Sequence, residues 1–207
     1  MGNSIIARAE HKLYIENKRK KLKNNSPSIL CDNCNAGIIL HDLGLKFNSP
    51  TVNLYFEPDD YLRLISKPHK YLDTVPSEIE SNKSFPVGMI NDITAYFMHF
   101  DSFESAKEKW VSRSKRFDYS DYFVMMAEKN GCTYEHIARF DALPIAHKVI
   151  FTHKPYPEFG SAYYIKGFED EGEVGVLSDW KPGFLKRRWL DDFDYVAFLN
   201  GEIYNFG

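Results

Sequence analysis

The sequence predicts an α/β fold built around a mixed, mainly parallel sheet and preceded by a basic helix. The chain has 207 residues, of which 43% are hydrophobic, enough for one sizeable core. Strand-like apolar runs alternate with helical patterns along its middle, which is typical of layered α/β folds. No repeat or linker divides the later part of the chain. We therefore expect a basic helix over residues 1–25 and one α/β domain over residues 26–207.

The first element is predicted from charge and periodicity. Residues 1–24 carry seven cations against two acids, a net charge of +5, which leaves −8 for the rest of the chain. Ile5, Ala9 and Leu13 recur at helical spacing, with Ile6 beside their stripe. This helix could be a peripheral membrane anchor, or it could dock its short apolar stripe on the body. A nucleic acid is not an expected partner, because no aromatic platform accompanies the cations.

The next elements follow from turn signals. Ser28–Cys31 is typical of a short buried strand, and a helix over Gly37–Leu43 would end at Gly44. Thr51–Phe56 alternates with period two and predicts a second strand. Pro58, followed by two acids, predicts the start of a helix.

The second half of the chain continues the alternation. Strands are predicted at Val87–Ile90, Ile93–Phe100, Tyr122–Ala127, His147–Thr152, Ala162–Ile165 and Val174–Leu177. Helices are predicted at Phe103–Ser114 with Ser102 as N-cap, after Thr133, and near the final apolar segment Phe193–Leu199.

The cysteines and the apolar runs bear on location. Cys31, Cys34 and Cys132 make an odd count with no paired framework, and the N-terminus lacks a signal-peptide pattern. Apolar runs fall far short of the roughly 20 residues that span a bilayer. We expect a cytoplasmic protein, located at the inner face of the membrane if the basic helix binds there.

The strongest local signal is the polar loop after the first predicted strand. In open α/β sheets, ligands collect outside the carboxyl ends of the strands, and free N–H groups at a helix start bind anions. A thiol there has a lowered pKa, so Cys34 is a candidate nucleophile, with Asn33 and Gly37 as substrate contacts. The alternatives are a redox pair with Cys31, a zinc ligand with Cys132, and a small buried residue.

Two histidines and two arginines are further candidates. His99 follows a predicted strand and precedes a capped helix, where a general base would be exposed. His153 also follows a strand, with Lys154 beside it to meet an anion. Either histidine could instead belong to the core. Arg113 and Arg116 are spaced to hold a phosphate or carboxylate, or merely to complement a helix C-terminus.

A metal site is the weakest of the candidates. Asp192 and Asp194 form an Asp-x-Asp pair that could hold Mg²⁺ or Mn²⁺ against a nucleotide diphosphate, although acids also occur at helix starts. The sequence contains no P-loop, no Gly-x-Gly-x-x-Gly and no Gly-x-Ser-x-Gly motif. ATPases, dinucleotide oxidoreductases and ordinary α/β-hydrolases are therefore disfavoured.

Several stretches, taken in order, resemble one bacterial family. They are Asn33–Gly37, Phe47–Leu54, Phe85–Gly88, His99–Phe100, Phe103–Ala106, Trp110–Arg113, Phe151–Tyr156 and Asp194–Asn200. The family is usually labelled exopolysaccharide- or capsule-biosynthesis proteins (domain of unknown function family nineteen-nineteen), and the likeness spans about residues 28–200. Asn48 and Ser49, in the second stretch, join the candidate substrate-binding residues.

The resemblance implies a three-layer α/β fold and a place beside capsule or O-antigen synthesis, but no mechanism. Ala36 departs from the family pattern, where a second Gly is common. Cys31 departs from it as well, where Ser is more usual, which makes a redox role shared with Cys34 less plausible.

Together these observations predict a transferase that modifies a sugar of a surface polysaccharide, with acyl transfer favoured. In that mechanism His99 deprotonates a sugar hydroxyl or Cys34, and the amides of Asn33–Gly37 stabilise the oxyanion. In a metal-dependent nucleotide-sugar glycosyltransferase, Asp192 and Asp194 would hold the metal and the arginines the diphosphate. A non-catalytic assembly or regulatory protein is the third hypothesis. The expected partners are a saccharide or lipid-linked saccharide, with an acyl donor or nucleotide-sugar as co-substrate and no certain cofactor.

Overall fold

The computed structural model describes residues 2–183, 187–202 and 205–206, with side chains from Ala9 onward. The helices are Gly2–Lys21 (α1), Asn35–Leu43 (α2), Pro58–Ser66 (α3), Pro68–Leu72 (α4), Phe103–Ser114 (α5), Tyr134–Asp141 (α6) and Tyr195–Leu199 (α7), with a 3-10 turn at Trp189–Asp192. The strands are Ser28–Cys31 (β1), Ser77–Glu78 (β2), Val87–Ile90 (β3), Ile93–Tyr96 (β4), Tyr122–Ala127 (β5), His147–Thr152 (β6) and Ala162–Tyr164 (β7).

The strands form two sheets. A four-stranded parallel sheet has the order β1-β5-β6-β7, with Cys31 opposite Met125 and Ala127 opposite Phe151. The antiparallel strands form a separate small sheet of order β2-β3-β4. Because β1, β5 and β6 run in the same direction, their carboxyl ends meet at one edge of the main sheet.

Helices cover both faces of the main sheet and create two apolar layers. On one face, Leu62 of α3, Trp110 of α5 and Phe140 of α6 pack with side chains of the strands. On the other face, Leu40 of α2 and Phe198 of α7 belong to the second buried cluster. The arrangement is a single α/β fold of three layers, as the sequence predicts.

Several elements follow their local signals closely. Strands β5 and β6 and helix α5 have the predicted bounds, and the Ser102 hydroxyl accepts a hydrogen bond from the Ser105 amide. Gly44 ends α2 in a left-handed conformation with φ of 71°, which glycine adopts without steric cost. Pro58 opens α3 as its first residue.

Two predicted strands are wrong. Residues 51–56 form a turn and an extended segment, because Asn53 takes a φ of 72° and the Thr51 hydroxyl accepts the Cys31 amide at the sheet edge. Only Tyr55 pairs with a strand, through an isolated bridge to Tyr96. Residues 174–177 form a loop, which the Val174 amide ties to the Glu128 carbonyl oxygen at 2.9 Å.

Helix α1 docks on the body of the protein. Ile15 is buried, the Tyr14 hydroxyl donates to the carbonyl oxygen of Asp191, and Lys18 forms an ion pair with Asp194 at 3.5 Å. The Arg19 guanidinium donates to the Asp42 carbonyl oxygen in α2. These contacts match the docked interpretation of the basic helix. None of the described helices combines the length and apolarity needed to cross a bilayer.

Candidate functional site

Two adjoining cavities open at the carboxyl edge of the main sheet. The first, which we call the Asn33 cavity, has a volume of about 270 Å³. The second, the His99 cavity, has a volume of about 720 Å³. Cys34, Ile38 and Ser178 line both, so the two spaces meet at the start of α2. This is the edge at which open α/β sheets place their ligands.

The turn between β1 and α2 forms the shared wall. The Asn33 side-chain oxygen accepts the Asn35 amide at 2.9 Å, which fixes the turn before the helix. Cys34 is the N-cap, and its carbonyl oxygen accepts the Ile38 amide at 3.1 Å. The same loop therefore begins the helix and presents Asn33, Cys34 and Gly37 to the two cavities.

The Asn33 side chain occupies one backbone amide of this turn. The Asn35 amide donates to the Asn33 side-chain oxygen at 2.9 Å, and the thiol of the fully buried Cys31 donates to the same oxygen at 3.5 Å. The Asn35 amide is therefore not available to an oxyanion in the predicted Asn33–Gly37 hole.

The Cys34 thiol does not have the lowered pKa expected at a helix start. Burial raises its pKa, and the negative charge of the neighbouring Asp32 raises it further. At neutral pH the side chain is therefore a thiol with little thiolate, and the thiolate is the nucleophilic form. Cys34 lies where the sequence places it, but as a half-buried neutral group in the cavity wall.

Asp32 lies directly behind the Asn33 cavity. It precedes Asn33, and its Oδ2 accepts at 3.1 Å the amide of Ala127, which also lines the cavity. Burial raises the pKa of Asp32 to about 7, although the Ala127 hydrogen bond acts in the opposite direction. The carboxyl group therefore titrates near neutrality, a behaviour that clusters at functional sites.

His99 lines the second cavity together with Cys34. It lies in the connection between β4 and α5, in a loop tied by the Phe100 amide to the Phe97 carbonyl oxygen at 3.1 Å. The imidazole is exposed, and no hydrogen bond from the described part of the chain occupies its nitrogens. The structure thus brings Cys34 and the exposed imidazole of His99 to one cavity.

The arginine pair does not form an anion clamp. Arg113 is buried and donates to the Val52 carbonyl oxygen at 2.9 Å, with the Phe47 ring against its guanidinium. Arg116 donates to the carbonyl oxygens of Phe47 and Ser112 at 2.9 and 2.7 Å. Both side chains hold the 47–53 segment against α5.

Asn48 and Ser49 are also held inside the fold. The Asn48 side-chain nitrogen donates to the Ser26 hydroxyl at 2.7 Å, and the Ser49 hydroxyl donates to the Ile29 carbonyl oxygen. Both residues are buried, and neither lines the two cavities. Their hydrogen bonds fix the segment beside β1.

His153 belongs to a buried cluster behind β6. Its Nδ1 lies 2.6 Å from Oε2 of Glu128, and the same oxygen accepts its backbone amide at 2.9 Å. The Tyr156 hydroxyl donates to the other Glu128 oxygen at 2.8 Å, and Lys154 lies exposed over the Tyr156 ring. The cluster fastens the carboxyl ends of β5 and β6, and neither cavity includes His153 or Lys154.

The two aspartates of the Asp-x-Asp pair have separate partners. Asp192 accepts two hydrogen bonds from Lys181, at 2.6 and 2.8 Å, and Asp194 caps α7 and pairs with Lys18. In residues 2–183, 187–202 and 205–206, no three of the His, Cys, Asp and Glu side chains gather into a group suited to a metal ion.

Several lining residues were not predicted from the sequence. Asn35, Tyr55 and Asn130 line the Asn33 cavity, and Asn53 lines the His99 cavity. The positive φ of Asn53 and Asn130, 72° and 56°, could have drawn attention to their turns only once the backbone was known. The remaining signal lies in residue type, since four carboxamides at one edge are typical of a polar, uncharged ligand site.

Comparison with known proteins identifies the family. The model of a family described as Domain of unknown function (DUF1919) matches residues 5–200, a range that includes most of α1. A protein of Haemophilus influenzae (strain ATCC 51907 / DSM 11121 / KW20 / Rd), described as "Uncharacterized protein", is 43% identical over 182 residues. The alignment covers 88% of both chains. The chain therefore belongs to the DUF1919 family.

Proposed function

We propose that the protein is a transferase of bacterial surface-polysaccharide synthesis that moves an acyl group onto a sugar hydroxyl. The observation that carries the proposal is the His99 cavity, which the exposed imidazole of His99 and the side chain of Cys34 both line at the carboxyl edge of a parallel sheet. The link to polysaccharides comes from the resemblance of this chain to capsule- and exopolysaccharide-biosynthesis proteins.

The reaction that best fits this geometry is a direct transfer. His99 takes the proton of the sugar hydroxyl, and the hydroxyl oxygen attacks the acyl carbonyl carbon. The bond to the donor's leaving group then breaks, and His99 gives the proton to that group. A covalent intermediate on Cys34 is disfavoured, because burial and Asp32 raise the pKa of that thiol. Cys34 then contributes to the shape of the cavity wall.

The charged candidate residues already have partners within the protein, which argues against the glycosyltransferase alternative. A metal-dependent nucleotide-sugar enzyme needs carboxylates for the cation and cations for the diphosphate. Asp192 is paired with Lys181, and both Arg113 and Arg116 donate to backbone carbonyl oxygens. Acyl transfer makes neither demand.

The proposal includes a cytoplasmic location. Cys31, Cys34 and Cys132 are free, as expected in a reducing compartment. Contact of α1 with the inner face of the membrane stays a prediction. Lys18 and Lys23 of the basic segment are paired with Asp194 and Glu202, and Arg19 donates to the Asp42 carbonyl oxygen, whereas Lys20 and Lys21 are exposed.

The experiment compares surface glycans from strains that carry the wild-type protein, His99→Asn or His69→Asn. We expect His99→Asn to lower incorporation of the acyl substituent at least a hundredfold, because a general base contributes roughly 10²–10⁴ in rate. His69→Asn is the matched control, an exposed histidine stacked on Tyr119 at 3.7 Å and outside both cavities.

Melting temperatures of the purified variants complete the test. Both variants are expected to unfold within a few degrees of wild type, since neither histidine is buried. Polysaccharide that keeps every substituent in the His99→Asn strain contradicts the transfer. If the glycan then falls in amount or chain length when the gene is deleted, the assembly hypothesis gains.

A further inference from the structure

The wall of the Asn33 cavity contains a carboxamide that no other group of the described residues hydrogen-bonds. Asn35 is only 8% exposed, and its side chain lines the cavity. Within the described residues, no atom hydrogen-bonds its carboxamide; only its backbone amide is engaged, by Asn33. Its two N–H donors and its carbonyl oxygen are therefore available to a ligand that enters the cavity.

Two further carboxamides line the same cavity as Asn35. The Asn33 side-chain nitrogen is free of partners among the described residues, since its oxygen alone holds the turn. The Asn130 side chain lines the same cavity, and its hydrogen bond to Glu173 uses only the backbone amide. Each carboxamide offers two donors and an acceptor, which suits hydroxyl groups that donate and accept at once.

An aromatic side chain also lines the Asn33 cavity. Tyr55 lines the Asn33 cavity, and Tyr96 stacks on its ring with centroids 4.4 Å apart and planes 5° apart. The backbone amides and carbonyl oxygens of the two tyrosines exchange hydrogen bonds at 2.9 and 3.0 Å. Phe85 contacts the Tyr55 ring edge-on at 6.3 Å. Tyr55 is thus held rigidly, a preorganised surface on which a ligand can pack.

The charge of the cavity indicates a neutral ligand. Lys129 is the one charged residue among the described lining residues, and its ammonium lies 3.5 Å from the Val174 carbonyl oxygen. A nucleotide diphosphate would require more cations than this wall provides. The volume of about 270 Å³ lies at the small end for ligand pockets.

We propose that the Asn33 cavity is the subsite that binds one uncharged sugar ring of the acceptor, with Tyr55 packed on the ring and Asn33, Asn35 and Asn130 bonded to its hydroxyls. This inference rests on the proposed acyl transfer to a sugar, whose acceptor it describes. Because the Asn33 and His99 cavities meet at Cys34, a sugar bound in the first can extend a hydroxyl toward the second.

Ligand-observed saturation-transfer NMR on the full chain tests the subsite. The probes are methyl α-D-glucopyranoside, methyl α-D-galactopyranoside and methyl N-acetyl-β-D-glucosaminide at millimolar concentration. We expect transfer to at least one of them, weakened at least fivefold in Asn35→Ala and Tyr55→Leu. It should persist in Tyr119→Leu, which alters a stacked ring outside both cavities. Inorganic phosphate should not displace the sugar.

Stability separates a binding role from a structural one. Asn48 is 7% exposed, and its side-chain nitrogen donates to the Ser26 hydroxyl. It is therefore a matched control for Asn35. We expect Asn48→Ala to lower the melting temperature and keep sugar binding, whereas Asn35→Ala keeps or raises the melting temperature and loses binding. An equal loss of stability in both variants would show that Asn35 serves the fold, and contradicts the subsite.

The remaining outcomes also decide. No transfer to any probe, transfer unchanged in both cavity variants, or displacement by phosphate overturns the subsite. Sugar binding should be unchanged in His99→Asn, which distinguishes the two proposals. If binding fails while His99→Asn still removes the acyl substituent, the transfer stands without this subsite. If sugars bind while His99→Asn keeps every substituent, the transfer is wrong, and the Asn33 cavity is a sugar-binding site without the acceptor role.

Discussion

At the scale of single residues, burial decides what the two cysteines of the β1–α2 turn can do. Cys31 is fully buried, and its thiol donates to the Asn33 side-chain oxygen at 3.5 Å. Cys34, three residues later, reaches both cavities but remains protonated, because burial and Asp32 raise its pKa. Proximity to a helix start is therefore not sufficient to activate a thiol, since desolvation opposes the same ionisation.

The raised pKa of Cys34 gives a direct prediction. At pH 7.5, iodoacetamide should alkylate Cys34 at least tenfold more slowly than it alkylates glutathione, as followed by intact-protein mass. Cys34→Ala should keep more than half of the acyl-transfer rate, because the transfer does not pass through the thiol. Cys132→Ala is the control, since burial raises the pKa of that half-buried thiol to about 12. Rapid alkylation of Cys34 together with loss of transfer in Cys34→Ala would instead support the hypothesis that Cys34 is the nucleophile.

The sequence could predict the position of a candidate residue where neighbouring residues in the chain determine it. His99 follows β4 and precedes a Ser102-capped helix, and the structure places it in a cavity with Cys34. Arg113 has the right spacing for an anion clamp, yet its donors go to the Val52 carbonyl oxygen, 61 residues away in the chain. Which acceptor a guanidinium meets depends on packing between distant segments, and spacing along one helix contains no such information.

At the scale of elements, turns and caps were predictable where one residue determines them. Gly44 ends α2, Pro58 opens α3, and Ser102 caps α5, each by a local mechanism. The alternation of residues 51–56 failed as a predictor because Asn53 adopts a left-handed conformation. An alternating pattern reports which side chains are buried on either side of an extended segment; it does not report strand pairing.

Helix α1 is expected to be an integral part of the fold. Its Ile15 is 7% exposed, whereas Leu13, two residues earlier, is 60% exposed. Ile15→Ala should lower the free energy of unfolding by about 2–3 kcal/mol, a typical cost for truncating a buried aliphatic side chain. Leu13→Ala on the same helix should change it by less than about 0.5 kcal/mol.

Urea unfolding followed by circular dichroism measures both changes. The contrast between the two variants is the informative quantity, because helix propensity changes in the same direction in each. Equal and small effects would mean that α1 does not dock through Ile15. They would support the hypothesis that this helix is a peripheral membrane anchor. The family match from residue 5 onward agrees with a helix that belongs to the domain.

At the scale of the whole molecule, the site exists only because distant segments meet. The Asn33 cavity takes Asn35 from the start of α2, Tyr55 from the bridge to β4, Asn130 from the loop after β5, and Ser178 from the loop that follows Val174. The sequence predicts the parallel sheet and its helices, and hence the edge where a site should lie. Which loops cover that edge depends on long-range packing, so the carboxamide array could not be predicted from the chain alone.

Asp32 connects the cavity to the stability of the whole fold. The pKa of its carboxyl rises from about 3.8 to about 7 on burial, so between these values the folded protein holds a proton that the unfolded chain has lost. This contribution to stability is present below about pH 4 and is lost as the pH rises to about 7. Three pKa units correspond to at most about 4 kcal/mol.

Asp32→Asn should remove the loss of stability with rising pH, because the side-chain amide stays neutral and its oxygen can still accept the Ala127 backbone amide. The difference in melting temperature between Asp32→Asn and wild type should therefore shift by several degrees in favour of the variant as the pH rises from 4 to 8. Scanning calorimetry measures this difference. Asp118→Asn is the control, since the Ser120 hydrogen bonds lower the pKa of Asp118 and it stays ionised across that window in the folded protein. A constant difference between Asp32→Asn and wild type over the same range would place the titration of Asp32 below pH 4. The wall behind the Asn33 cavity would then be negatively charged at neutral pH, which would disfavour anionic ligands.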